Sequence, residues 1–348
     1  MEKLEVQFPA GGDVKEDTLS GTFYLPPKKD QKFAAALVIH GSGPIDRDGN
    51  AEMMGGWMNM NMNTHCRLAE ELVGRPEQPM AVLCYDKRGI GKSISSTKPN
   101  WYYEAGMLDL VQDAVQGYRY LVQQQEANVD KTQIFLMGHS EGAILLPLIA
   151  ETIAKDETLP TPKGLVFLAG FGEALDEAAG NQRERALTEV AVETGLQGWV
   201  LRKVITREKV DKQYKDFMEQ VQNKDQSFYS QYFGLAKVPT KWYREHMEWD
   251  AHASLQNCPL PCLAITGAKD VQVRPEFCDP EAAKTLAPSA ASLETHVVAN
   301  MTHILRSIEE PPSMLNMQKV YAKLGKQPLD PELLQILHAW LTKQQQQA

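Results

Sequence analysis

The stretch Ile134-Phe135-Leu136-Met137-Gly138-His139-Ser140-Glu141-Gly142-Ala143 decides the fold. Its first four residues are wholly apolar, the pattern of a strand covered on both faces. The residues from Ala143 to Ala154 read as a helix. Between them stands G-x-S-x-G, whose weight comes from the strand before it and the helix after it, because the bare pattern also marks ordinary turns. A turn this sharp leaves no room for side chains two positions before and after the serine, so glycine stands at 138 and 142. The same turn lifts the hydroxyl above the carboxyl edge of the sheet and sets it at a helix amino terminus, where peptide dipoles favour developing negative charge.

The pattern repeats outward. From Leu4 to Leu25 an alternation broken by Gly11, Gly12 and Gly21 predicts a pair of antiparallel strands. Ala34 to Ile39, Met80 to Cys84, Leu165 to Ala169, Pro261 to Thr266 and Ser292 to Val298 supply further strand runs. Helices are predicted from Thr64 to Val73, from Glu104 to Gln124 on the spacing of Leu108, Val111, Val115, Tyr118 and Val122, and from Pro331 to Thr342. The tail from Gln344 to Gln347 reads as a frayed end. Alternating strands and helices predict an α/β architecture, a mostly parallel central sheet with helices on both faces. Residues 173–252 differ, being charged and helical in pattern without a comparable apolar run. They are predicted to form a helical cap inserted into a core of residues 1–172 and 253–348.

The 348 residues carry 45 Asp and Glu against 36 Lys and Arg, a net charge of −9, with no polybasic run. That argues against a nucleic-acid partner, which requires a concentrated cationic surface. No stretch approaches the roughly 18 apolar residues of a membrane span, and the amino terminus lacks a basic and then apolar leader, so a cytoplasmic protein is expected. The five cysteines never occur at C-x-x-C spacing and are expected to be free, mostly buried thiols.

A serine hydroxyl is a poor nucleophile at neutral pH and needs a base, with a further group to orient that base. In this architecture an acid and then a histidine should follow the serine, each just beyond a later strand. Asp270 follows the run ending at Thr266, and His303 follows the run ending at Val298. His296 competes with His303 but falls inside a strand pattern. The other six histidines lie on helical patterns, in the cap, beside the serine or on the turn at Gly41. Asp279, Glu173 and Asp176 compete with Asp270. Donors for an oxyanion are expected from the backbone N–H of Glu141 and, in the small-residue turn His40-Gly41-Ser42-Gly43-Pro44, from the N–H of Ser42.

With these residues together, the chain resembles serine hydrolases of the α/β-hydrolase superfamily, in the carboxylesterase and serine-aminopeptidase-like (dienelactone-hydrolase-like) branch. His40-Gly-Ser-Gly-Pro-Ile-Asp46-Arg47-Asp48-Gly49-Asn50 is similar to the H-G-S-G-P-x-D-R-D-x-N loop of bacterial-type carboxylesterases, whose elbow is also G-H-S-E-G. Tyr85-Asp86-Lys87-Arg88-Gly89-Ile90-Gly91-Lys92-Ser93 resembles the D-x-R-G-x-G-x-S turn of the same superfamily. Two readings stay open for the charges in these loops: ion-paired scaffolding, or an Arg47 or Arg88 that holds an acidic group of the substrate. The resemblance leaves the cap uncovered.

Two regions are candidates for the substrate pocket. One is the run from Met53 to Met62, with five methionines and a tryptophan, represented by Met58. The other is the cap segment from Phe228 to Trp249, seven aromatics in 22 residues against 8% chain-wide, represented by Phe233 and Trp242. The expected activity is hydrolysis of small to medium carboxylic esters by Ser140, His303 and Asp270 through an acyl-enzyme. A serine peptidase reading shares this machinery and calls for a carboxylate near the pocket, such as Glu245 or Glu248. Thioesterase and acyltransferase readings also share it, and a non-catalytic receptor on this fold is the reading from another class. The expected partner is a small-molecule ester or amide, with no cofactor and no metal.

Overall fold

The computed structural model describes residues 1–12, 17–27, 32–53, 58–75, 77–124, 128–231, 236–310 and 312–347. Strands β1 (Glu2–Pro9) and β2 (Thr18–Leu25) pair antiparallel along their whole length. There follow β3 (Phe33–Ile39), a small antiparallel ribbon of β4 (Ala51–Met53) and β5 (Met58–Met60), α1 (Thr64–Val73), β6 (Ala81–Tyr85), α2 (Trp101–Glu104) and α3 (Met107–Gln123). Next come β7 (Val129–His139), α4 (Glu141–Ala154) and β8 (Gly164–Leu168). Helices α5 (Leu175–Val192), α6 (Gly195–Val204) and α7 (Arg207–Gln222), the ribbon of β9 (Phe228–Gln231) and β10 (Ala236–Pro239), and helices α8 (Thr240–Glu248) and α9 (Ala251–Gln256) intervene before β11 (Cys262–Gly267). The chain ends with α10 (Pro280–Leu286), β12 (Leu293–Val298), α11 (Met317–Leu324) and α12 (Pro331–Gln346).

Eight strands form one sheet in the order β1-β2-β6-β3-β7-β8-β11-β12. Strand β2 runs against both its neighbours, and every pair from β6 to β12 is parallel. Alternate side chains explain why these strands are apolar throughout. Leu37, Ile39 and Leu136 face one layer, packed with Val111 and Tyr118 of α3 and Leu146 and Ile149 of α4. Val38, Phe135 and Met137 face the other, packed with Leu68 and Leu72 of α1 and Leu337 and Trp340 of α12. The order turns at β3, between β6 and β7, and the crevice beyond the carboxyl ends of strands at such a reversal is where sheets of this kind bind ligands.

Some elements depart from the sequence reading. The helix expected from Glu104 begins at Met107, because Gly106 is extended and its N–H donates to the Asp109 carboxylate at 2.7 Å, capping the helix start. Leu108 then faces solvent, at 51% exposure, instead of the core. The expected frayed tail is helical to Gln346, and Gln344 is buried at 1% exposure. Strands β9 and β10 are four residues each, too short for an alternation to stand out. All five cysteines are free, with Cys66 half-buried and the rest buried. Among the described residues no helix is long and apolar enough to cross a membrane.

Both loop arginines are engaged inside the protein. Arg47 grips Asp86 through Nε at 3.0 Å and Nη2 at 2.6 Å, and Arg88 grips Asp113 through Nε and Nη2, both at 2.7 Å. Arg88 also donates to the carbonyls of Gly11 and Asp109, so it ties the β1–β2 turn to α3. Replacing Arg88 with Met should therefore cost about 3–5 kcal/mol of stability, because it strands the buried Asp113 carboxylate. Urea denaturation measures this, and a loss under about 1 kcal/mol would show that the pair anchors nothing.

Candidate active site

Strand β7 ends at His139, α4 begins at Glu141, and Ser140 alone makes the turn, with φ 56° and ψ −123°. That backbone is strained for a residue with a side chain and persists only where its surroundings leave no alternative. A Cβ on Gly138 would lie 2.3 Å from the carbonyl carbon of Gly142, and one on Gly142 would lie 2.3 Å from the Ile39 carbonyl oxygen. The Ser140 N–H donates to the Leu168 carbonyl at 2.9 Å, and its carbonyl accepts from Ala143 and Ile144.

His303 follows β12, and its Nδ1–H donates to Asp270 Oδ2 at 2.8 Å. The other Asp270 oxygen accepts from the backbone N–H of Gln272 at 2.7 Å and Val273 at 3.1 Å, which fixes the carboxylate plane. The His139 ring donates to the His303 carbonyl at 2.8 Å, so the residue beside the nucleophile also holds the histidine loop. Three of the competing residues are occupied elsewhere. His296 meets Glu294 on the half-exposed flank of β12, Asp279 caps α10, and Glu173 bonds Asn181 and Arg274.

Ser140 and His303 line one cleft of about 340 Å³ together with His139, Gly41 and Ser42. Its apolar wall includes Ile45, Ala51, Met60, Met62 and Ile304, and Gln182, Gln272 and Gln318 bring neutral carboxamides to it. A Cβ on Gly41 would come within 2.9 Å of the Ser140 Cβ, which explains why glycine precedes Ser42. The N–H groups of Ser42 and Glu141 have no protein acceptor among the described residues; for Glu141 this follows from its place at the first turn of α4.

The Glu141 side chain is buried and accepts three donors: Lys87 Nζ at 3.3 Å, Trp242 Nε1 at 2.5 Å and His246 Nε2 at 3.0 Å. Burial opposes its ionisation, but the Lys87 charge and the bonds from His246 and Trp242 outweigh it and hold the carboxyl at about 2.

Of the expected pocket residues, Trp242 does not line the cleft. It packs against the core and donates to Glu141. Phe233 lies outside the described residues, as does the side chain of Met58, whose backbone belongs to β5. The sequence reading missed His65, which lies buried on α1 and lines the cleft with its basicity pushed well down by burial. It also missed Met317 and Tyr321 of α11, a helix whose eight residues follow a long irregular stretch.

A family model described as serine aminopeptidase, S33, matches residues 58–309. The chain belongs to this family. The span matched to the S33 model takes in Ser140, Asp270 and His303 and leaves the Gly41–Gly43 turn outside. Esterase EstD of Thermotoga maritima is 23% identical over 261 residues, 75% of this chain and 52% of EstD, so the chain spans about half the length of that relative. Among solved structures, the Pyrococcus furiosus esterase Pf2001 superposes with a TM-score of 0.54 at 14% identity, covering 99% of this chain and 91% of that one. Est1E from Butyrivibrio proteoclasticus gives 0.53 at 13% identity, covering 97% and 99%. The sheet order and these likenesses make the fold that of the α/β hydrolases, as the sequence reading expected.

Because the Glu141 carboxyl is depressed in the folded protein, its contribution to stability is complete above its ordinary value of 4.5 and is lost as pH falls toward about 2. Glu141→Gln should remove that part of the acid limb, a difference on the order of 3 kcal/mol between pH 5 and pH 2. Parallel acid limbs for wild type and variant in denaturant titrations would contradict this.

Proposed function

We propose that the protein hydrolyses carboxylic esters of small to medium, uncharged acyl groups. The observation that carries this reading is the pairing of His303 with Asp270 beside Ser140, in a cleft whose described lining holds no Asp or Glu. Ser140 Oγ attacks the ester carbonyl while His303 Nε2 takes its proton, and Asp270 holds the imidazole with that nitrogen free to accept. The tetrahedral oxyanion accepts from the N–H groups of Ser42 and Glu141. His303 then protonates the leaving alcohol, and a water activated by the same imidazole releases the acid from Ser140. A cleft of about 340 Å³ stands at the small end of ligand pockets, and its thioether and aliphatic wall suits short apolar chains.

The family description favours a second reading, an aminopeptidase. A free amino terminus calls for a counter-charge, and the residues offered for it are placed otherwise. Glu245 accepts from the Leu108 N–H and pairs with Lys241, and Glu248 is exposed on α8. EstD and Pf2001 carry esterase names, which supports the ester reading further.

The test is turnover of p-nitrophenyl esters of increasing acyl length beside aminoacyl p-nitroanilides. Esters should be cleaved and anilides should be at least about 100-fold slower, Ser140→Ala should abolish turnover, and Asp270→Asn should lower kcat about 10⁴-fold. Anilide turnover that exceeds ester turnover would move the protein to the peptidase reading.

A further inference from the structure

Lys87 stands in the turn after β6, which the reaction described above does not use, and both its neighbours are locked: Asp86 by Arg47 and Arg88 by Asp113. Its own side chain is buried and donates at 2.6 Å to the carbonyl of Gly41, and at 3.3 Å to the Glu141 carboxylate. The Gly41 carbonyl belongs to the same peptide unit as the Ser42 N–H. In a trans peptide the two point in opposite directions. Lys87 is not part of the cleft lining, whereas Ser42 is. A carbonyl drawn toward Lys87 therefore turns the Ser42 N–H away from Lys87, and Ser42 lines the cleft that Ser140 also lines.

This turn needs an external lock. Gly41 and Gly43 flank Ser42, Gly43 has φ +93° with open space around it, and glycine leaves a peptide plane free to rotate. The lock also spans both halves of the anion site, because Glu141, the second acceptor of Lys87, supplies the other N–H. Helix α8 closes on the same carboxylate through Trp242 and His246.

We propose that Lys87 is a positioning residue that fixes the Gly41–Ser42 peptide so that its N–H meets the oxyanion, with Glu141 as the fixed point against which the ammonium is held. The proposal rests on the serine-hydrolase reading. It assigns a role to a buried charge pair that fold stability alone does not call for, since a buried ion pair is often no better than an apolar substitute.

The experiment compares wild type, Lys87→Met and Lys87→Met with Glu141→Gln, measuring kcat and KM on a p-nitrophenyl ester, inhibition by a trifluoromethyl ketone of the same acyl length, and the urea midpoint. Loss of one aligned oxyanion donor predicts that Lys87→Met lowers kcat about 100-fold with KM within about 3-fold, and weakens the ketone, whose adduct carries the oxyanion, in parallel. The double variant, which leaves no unpaired buried charge, should regain the urea midpoint without regaining kcat or ketone affinity, and it serves as the reporter if the single variant does not fold. Wild-type kcat in either variant, or a loss confined to KM, overturns the proposal alone. A folded wild type that turns over no ester and takes no fluorophosphonate on Ser140 overturns the serine-hydrolase reading and the proposal with it.

Discussion

Ser140 is held in a backbone conformation that residues with side chains rarely adopt, and the close approach of three glycines is what makes it tenable. Gly138 and Gly142 admit no Cβ, and a Cβ on Gly170 would fall 2.3 Å from the Ser140 carbonyl oxygen. The end of β8, the end of β3 and the start of α4 therefore press on one turn. Because the turn cannot relax, the hydroxyl stands where the sheet order reverses and where α4 presents its unpaired N–H groups. The remaining parts of the candidate site arrive by the same logic, each from the carboxyl end of a parallel strand: the Gly41 turn from β3, Asp270 from β11 and His303 from β12, with Lys87 of the turn after β6 bonded to the Gly41 carbonyl outside the cleft lining.

Behind this edge lies a layer of buried charge. Arg47 with Asp86, Arg88 with Asp113 and Lys87 with Glu141 each join a loop to a neighbouring element. Arg306 is a different case, because it is fully buried and gives its N–H groups to the carbonyls of Ile304, Met62, Asn63 and Gln327. Burial brings its pKa down to about 10, still far above neutral, so it remains a cation held by peptide dipoles. It links the loop that carries His303 to the segment that carries Met62, and so joins two walls of the cleft.

The sheet was legible because strands covered on both faces must be apolar at every position, and such runs are short and sharply bounded. The elbow was legible because its geometry is local: strand, glycine, serine, glycine and helix lie in one segment. The meeting of Asp270 with His303 follows from topology, because both stand just past two neighbouring parallel strands. The cleft wall was not. It joins Ile45 to Met62 with Ile304 to Tyr321, segments some 240 residues apart in the chain, and neither has a periodic pattern that points toward the other. The aromatic density around Trp242 announced burial but not direction. The indole turned out to face Glu141, because a buried carboxylate needs donors more than an apolar pocket needs one more ring.

The most direct test of the central claim is peptide mapping after a brief exposure of the native protein to a fluorophosphonate. A single adduct is expected, on Ser140, formed in the folded protein and suppressed by excess short-chain ester. A folded protein that takes no adduct, or takes it on another residue, would rule out Ser140 as the nucleophile.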